Sequence, residues 1–215
     1  MTRAFHMLIN GKAEDGVASF DVINPATGEA FARCPKADAA LLDKAVAAAK
    51  AAFPGWAATP VEERAAKVLA LADALEARAD EFARLLTEEQ GKPLTQATYE
   101  LAGAVHTLRA IAAMRIEPRV LRQEGTASIT EYRTPLGVVA AIMPWNFPMI
   151  VLMNKLAPAL IAGNTVVAKP APTTPLTSLL FGEICRDILP AGVVNLICDQ
   201  NDLGGLLSSH PDVAK

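Results

Sequence analysis

The 215-residue sequence predicts an α/β fold built on a mainly parallel sheet covered by helices. Two observations carry this reading. From Gly137 onward, strand-like and helix-like stretches alternate: strands at Gly137 to Met143, Thr165 to Lys169 and Val193 to Cys198, helices at Met149 to Ala162, Pro175 to Ile188 and Leu203 to Ser209. Such alternation argues for parallel strands joined by crossover helices, the half-unit of a dinucleotide-binding fold. The run from Gly137 to Met143 also contains no polar residue, as expected of a strand buried on both faces.

The N-terminal half adds elements around that core. Met7-Leu8-Ile9-Asn10-Gly11-Lys12 reads as a short strand entering an Asn-Gly turn, with another strand near Phe20 to Ile23. Asn24-Pro25-Ala26-Thr27-Gly28-Glu29 is a turn cluster. Asp38 is placed to cap an alanine-rich helix through Phe53, ended by Pro54-Gly55. Thr59-Pro60-Val61-Glu62 has the form of a capping box. The helix it opens carries Val68, Leu71, Ala72 and Leu75 inward, breaks near Arg78 and resumes to Gln90, before Gly91 and Pro93. A third helical stretch, Leu94 to Ile116, spaces Leu101, Val105, Leu108 and Ile111 for burial. Beyond Pro118, segments Arg119 to Arg122 and Ala127 to Arg133 read as an exposed two-stranded ribbon around Gly125.

Composition narrows the function. With 52% hydrophobic and 20% charged residues, the chain can bury a core of one or two domains. A net charge of −3 and scattered basic residues argue against nucleic acid as partner. The start, Met1-Thr2-Arg3-Ala4-Phe5-His6, leads into no long apolar run, so no secretory signal is read there. The apolar stretches are interrupted by Pro, Asn or Lys, so none reads as a membrane span. Cys34, Cys185 and Cys198 are too dispersed for a metal cluster with His6, His106 or His210, and three reduced thiols in a cytoplasmic protein are expected.

The chemistry concentrates in Pro144-Trp145-Asn146-Phe147-Pro148. Pro144 stops the strand and Pro148 reopens the chain as a helix, so the loop is short and stiff. It falls at the carboxyl end of a buried strand, where open α/β sheets bind ligands. Asn146 has two roles open to it: a carboxamide donor for a developing oxyanion, or a cap for the following helix. Trp145 can pack on the sheet end or face a ligand. Lys169, ending the second core strand, is either a surface charge or a donor to ligand hydroxyls or phosphate.

This loop resembles that of the NAD(P)-dependent aldehyde dehydrogenase superfamily. So do Lys155-Leu156-Ala157-Pro158-Ala159-Leu160, Ala162-Gly163-Asn164-Thr165-Val166-Val167-Ala168-Lys169-Pro170 and Leu189-Pro190-Ala191-Gly192-Val193-Val194-Asn195. The match is collinear from Leu8 to Lys215, and its motifs are specific as a set. The resemblance implies an aldehyde-dehydrogenase-like α/β fold. Residues 1–117 would be the N-terminal part of the cofactor domain, 118–134 an oligomerisation ribbon, and 135–215 the first half of a Rossmann-like core. It implies NAD or NADP as cofactor, an aldehyde as substrate, and a homo-oligomer, dimer or tetramer. Asn146 would hold the oxyanion. Ile142, Met143, Pro144, Trp145, Lys169, Ala171, Pro172 and Gly204 would face the cofactor, with Lys169 on the adenosine ribose.

Two departures from the family pattern stand out. Pro172 occupies a position where many members carry a glutamate for the ribose hydroxyls, so NADP should be better tolerated. Asp199-Gln200-Asn201-Asp202 replaces a glycine-rich turn, with Asn201 or Asp202 the expected helix cap. The family's nucleophilic cysteine and general-base glutamate have no counterpart here, so an N-terminal portion, inactive alone, is expected. The alternative is a short non-catalytic chain that binds a nucleotide or a partner through the ribbon. Arg109 and Arg115 are read as solvated, although a carboxylate-bearing substrate would suit them.

Overall fold

A computed structural model describes residues 3–215. Met1 and Thr2, where the segment read for a secretory signal begins, lie outside the described residues. The chain opens with a hairpin of β1 (Met7–Ile9) and β2 (Lys12–Glu14). Its turn residues Asn10 and Gly11 have φ of +52° and +71°, the left-handed pair that a two-residue hairpin requires.

Strand β3 (Ala18–Asn24) pairs antiparallel with β4 (Glu29–Lys36) in a separate two-stranded sheet. Only β3 was expected. In β4 the fully buried positions are Cys34 and Pro35, so no alternation marks it as a strand.

Helix α1 spans Ala39–Ala58, with Asp38 Oδ1 accepting from Leu41 N at 2.9 Å. It runs through Pro54-Gly55 instead of ending at Phe53, because its last turn buries Trp56, whose indole donates to Leu160 O at 3.2 Å. Burial of one indole outweighs the proline's lost helix bond. The capping box expected at Thr59 does not form. Pro60 precedes α2 (Val61–Ala77), and Thr59 Oγ1 instead donates to Gly55 O at 2.9 Å, closing α1. The break at Arg78 is present, followed by α3 (Ala79–Gln90) and left-handed Gly91 at φ +86°. Helix α4 (Leu94–Ala112) stops short of Ile116. The ribbon comprises β5 (Arg119–Glu124) and β6 (Ala127–Glu131), exposed along most of its length.

The core follows as β7 (Val138–Ile142), α5 (Pro148–Ile161), β8 (Thr165–Lys169), α6 (Leu176–Ile188), β9 (Val194–Leu196) and α7 (Gly204–Ser208). Its sheet has the order β2-β1-β9-β8-β7. Strands β7, β8 and β9 are parallel, while β1 pairs antiparallel with β9 through Leu8 and Leu196. The sheet is therefore mixed. Beyond β7, Val213 bridges parallel to Val138, with Ala214 N and Val138 O 2.9 Å apart.

Strands β1, β8 and β9 are buried at every residue, and β8 is the longest of them. Val166 and Ala168 enter a core shared with α2 to α6, whereas Val167 enters the opposite core with α1 and the β3–β4 sheet. Strand β7, expected to be buried on both faces, leaves Val139 and Ala140 half-buried and Ile142 exposed. Gly192, in the turn into β9, has φ +82°, and a Cβ there would meet Ala48 O at 2.7 Å. Gly192→Ala should lower stability by more than ~1 kcal/mol, since both the left-handed backbone and the contact with α1 exclude a side chain. The midpoint of urea unfolding checks this; an unchanged midpoint contradicts it.

Candidate active site

The parallel strands β7, β8 and β9 deliver their carboxyl ends to one edge of the molecule, and α5, α6 and α7 begin there. Met143 N donates to Lys169 O at 3.0 Å and extends the pairing of β7 by one residue. Pro144-Trp145-Asn146-Phe147 then crosses the edge exposed, and Pro148 opens α5.

The first turn of a helix presents N–H groups that need acceptors. For α5 the acceptor comes from α4: Glu100 Oε1 takes Met149 N at 2.9 Å and Ile150 N at 3.3 Å. The capping role open to Asn146 is thus already filled. Its carboxamide makes no hydrogen bond among the described residues and lies exposed. Glu100, buried, is paired with the buried Lys92 ammonium. Lys92 Nζ also donates to Asn146 O at 2.9 Å and sits 4.4 Å from the centre of the Phe147 ring.

Helix α6 is served in the same way from α3. Glu89 accepts from Leu176 N at 2.6 Å, Thr177 N at 3.1 Å and Thr177 Oγ1 at 2.5 Å. Burial pushes the Glu89 carboxyl up to about 7, against the opposing pull of these donors. Neither of the expected caps, Asn201 or Asp202, closes α7; Asp199 Oδ2 accepts from Leu203 N, just before the helix, at 2.8 Å. Asp202 instead accepts from Gln200 N and pairs with Lys36. Asp199 Oδ1 holds Lys169 Nζ at 2.6 Å, and both side chains are buried.

The expected site residues therefore separate into layers. Ile142, Pro144, Trp145 and Asn146 are exposed, Ala171, Pro172 and Gly204 half-buried, and Met143 and Lys169 buried. Trp145 and Pro172 line one cavity of about 360 Å³ together with Glu89, Gln90, Thr173 and Thr174. Asn146, Lys169 and Gly204 do not line it. A larger cavity of about 460 Å³, lined in part by Arg3, His6, Asp15 and Arg33, shares Asp21 with it and contains none of the expected site residues.

Arg109 is engaged by Asp73 and Glu76, and Arg115 by backbone carbonyls, which accounts for both without a ligand. All three cysteines are buried, and burial raises the thiols of Cys185 and Cys198. Among the described residues no cluster of His, Cys, Asp and Glu could hold a metal ion, and no helix is long and apolar enough to cross a membrane.

A dinucleotide fits this edge at its nucleoside end. The exposed apolar surfaces of Ile142, Pro144 and Trp145 can bear on a ring or ribose, and Gly204 packs beside the buried Lys169 stem, where an added Cβ would sit 3.7 Å from Lys169 Cε. The N-termini of α5 and α6 are closed to a pyrophosphate, because Glu100 and Glu89 occupy them.

The capping carboxylates and Lys92 were missed from sequence. A signal was present for two of them. Glu100 falls among Ala97, Leu101 and Ala104 on the buried face of α4, and Glu89 follows Phe82 and Leu86 at helical spacing on α3. An acid on an apolar stripe needs an internal partner. Lys92 and Asp199 sit in loops without periodicity.

The model of the aldehyde dehydrogenase family matches residues 12–215. A Pseudomonas protein described as "Probable aldehyde dehydrogenase" is 40% identical over 215 residues, covering 99% of this chain and 43% of that protein. Among solved structures, an aldehyde dehydrogenase from Bacillus cereus in complex with NAD+ superposes with a TM-score of 0.95 at 32% identity, covering 99% of this chain and 45% of that one. An NADP-dependent enzyme from E. coli gives 0.93 at 36% identity, with 97% and 45% covered. The chain thus spans less than half the length of these relatives.

Glu89 makes stability depend on pH. Its unfolded carboxyl ionises near 4.5 and its folded one near 7, so the native state holds the extra proton between those values. Stability should then fall as pH rises through that window. In thermal melts, the wild type should lose stability from about pH 5 to about pH 7.5 relative to Glu89→Gln, which retains an acceptor without the charge. Parallel curves for the two would contradict this.

Proposed function

The chain belongs to the aldehyde dehydrogenase family, and we propose on that premise that it forms the cofactor-facing, oxyanion-binding part of an enzyme oxidising an aldehyde to a carboxylic acid with NAD or NADP. One observation supports this above all: the carboxamide of Asn146 is exposed and unpartnered at the end of β7, while Glu100 satisfies the helix that the asparagine would otherwise cap. A neutral amide N–H donor held at a strand end suits a carbonyl oxygen that gains negative charge during attack.

In this reading Asn146 Nδ2 donates to that oxygen. Ile142, Met143, Pro144 and Trp145 form the wall against which the bound dinucleotide lies, and Lys169, Ala171, Pro172 and Gly204 flank its adenosine ribose. The dinucleotide, when bound, accepts the hydride. Pro172 presents no carboxylate to repel a 2′-phosphate, and Asp199 balances the charge of Lys169, so neither coenzyme is selected by a net charge at this position. The similar proteins named above include one with NAD+ and one that is NADP-dependent.

Residues 1–117 and 135–215 would share the cofactor domain. The ribbon at 118–134 would pair subunits in a homo-oligomer, a role supported by the exposed Val120, Leu121 and Ile129. Three buried cysteines with no disulfide suit a cytoplasmic setting. The buried cysteines also supply no accessible thiolate, so the nucleophile and the general base would belong to other residues of the full enzyme.

In the full-length enzyme, Asn146→Ala should lower kcat by roughly a hundredfold, about 3 kcal/mol, as for loss of one oxyanion donor elsewhere. Steady-state kinetics with an aldehyde substrate check this, and an unchanged kcat contradicts the assignment. The purified 215-residue chain should form no NADH or NADPH on addition of aldehydes. Aldehyde-dependent absorbance at 340 nm (roughly the reduced-nicotinamide band) above the no-enzyme rate would contradict it.

A further inference from the structure

We infer that Lys92 and Glu100 are positioning residues for Asn146: a buried ion pair that fixes the Trp145-Asn146-Phe147 loop so that the carboxamide points outward before any substrate arrives. The inference rests on the oxyanion role proposed for Asn146.

The argument begins with the loop's own bonds. Among the described residues, Pro144 to Asn146 make one hydrogen bond within the chain, from Lys92 Nζ to Asn146 O at 2.9 Å. Phe147 O accepts from Val151 N as α5 begins. The two prolines restrict φ but do not set where the loop lies relative to the sheet.

Lys92 and Glu100 supply that placement. The ammonium touches the main chain of Asn146 and the Phe147 ring, 4.4 Å to its centre. Glu100 Oε2 receives the ammonium, while Oε1 takes Met149 N and Ile150 N. One pair therefore grips the loop at its middle and at its exit. The two residues come from the Gly91-Lys92-Pro93 turn and from α4, so the grip is anchored in the buried helical layer.

Both side chains are nearly inaccessible, at 7% and 1% exposure, so neither contacts a substrate. Their charges cancel locally, so Lys92 adds little field at the oxyanion position. What the pair supplies is direction. An oxyanion donor acts only if it is already aimed, and a small misplacement is costly in rate.

A double-mutant cycle in the full-length enzyme tests this. Lys92→Met keeps the stem and removes the ammonium. It should lower kcat by about tenfold to a hundredfold while the KM for the dinucleotide stays within about twofold. Added to Asn146→Ala, it should cause no further loss, because it acts through that residue. If Glu100 left without a partner prevents folding, Lys92→Met with Glu100→Gln removes both charges and should give the same loss and the same non-additivity. An unchanged kcat in Lys92→Met, or losses that multiply in the combined variant, would overturn the inference. If Asn146→Ala itself leaves kcat unchanged, the oxyanion reading fails first, and the inference with it.

Discussion

Three helices begin at one edge of the sheet, and each needs acceptors for its first N–H groups. The chain meets this demand with internal carboxylates at two of them, Glu100 for α5 and Glu89 for α6, while Asp199 holds Leu203 N just ahead of α7. Open α/β sheets often leave such positions for a phosphate. Here those of α5 and α6 are closed, and the character of the edge follows. It offers exposed apolar surface and the unpartnered amide of Asn146, with Glu100 and Asp199 buried in ion pairs.

The three carboxylates are not equivalent. Glu100 and Asp199 each hold a buried lysine, and each lysine lies beside a residue of the proposed site: Lys92 under Asn146, and Lys169 beside Gly204. Glu89 has no cation among the described residues and carries the cost of its burial as a raised carboxyl affinity for the proton. A buried pair of this kind adds little net stability over an apolar one, but losing one partner is costly. Its value here is in geometry. Asn146 owes its freedom to Glu100, because an asparagine at that position would otherwise turn back to cap α5.

How far this could be read from sequence depended on where each interaction closes. Local signals survived: the Asn10-Gly11 turn, the break at Arg78, the stop at left-handed Gly91, and the alternation from β7 to α7. So did the fold class and the prominence of the Pro144–Pro148 loop, because two prolines and an apolar run act within a few residues. The failures were non-local. Helix α1 outlasts Pro54 because Trp56 finds Leu160 O, more than a hundred residues away. Thr59 abandons its capping box for the end of the previous helix. The partners of the helix N-termini come from α3, α4 and a loop, separations over which no periodicity speaks. Family resemblance supplied the roles proposed for Asn146 and Lys169, whereas the contacts around them emerged only from the packed chain.

The most direct test is a crystal structure of the full-length enzyme with NAD and an aldehyde analogue bound. It should show Asn146 Nδ2 within about 3 Å of the analogue's carbonyl oxygen, with Glu100 still on Met149 N. A carboxamide turned back onto the α5 N-terminus, with Glu100 displaced, would contradict the account.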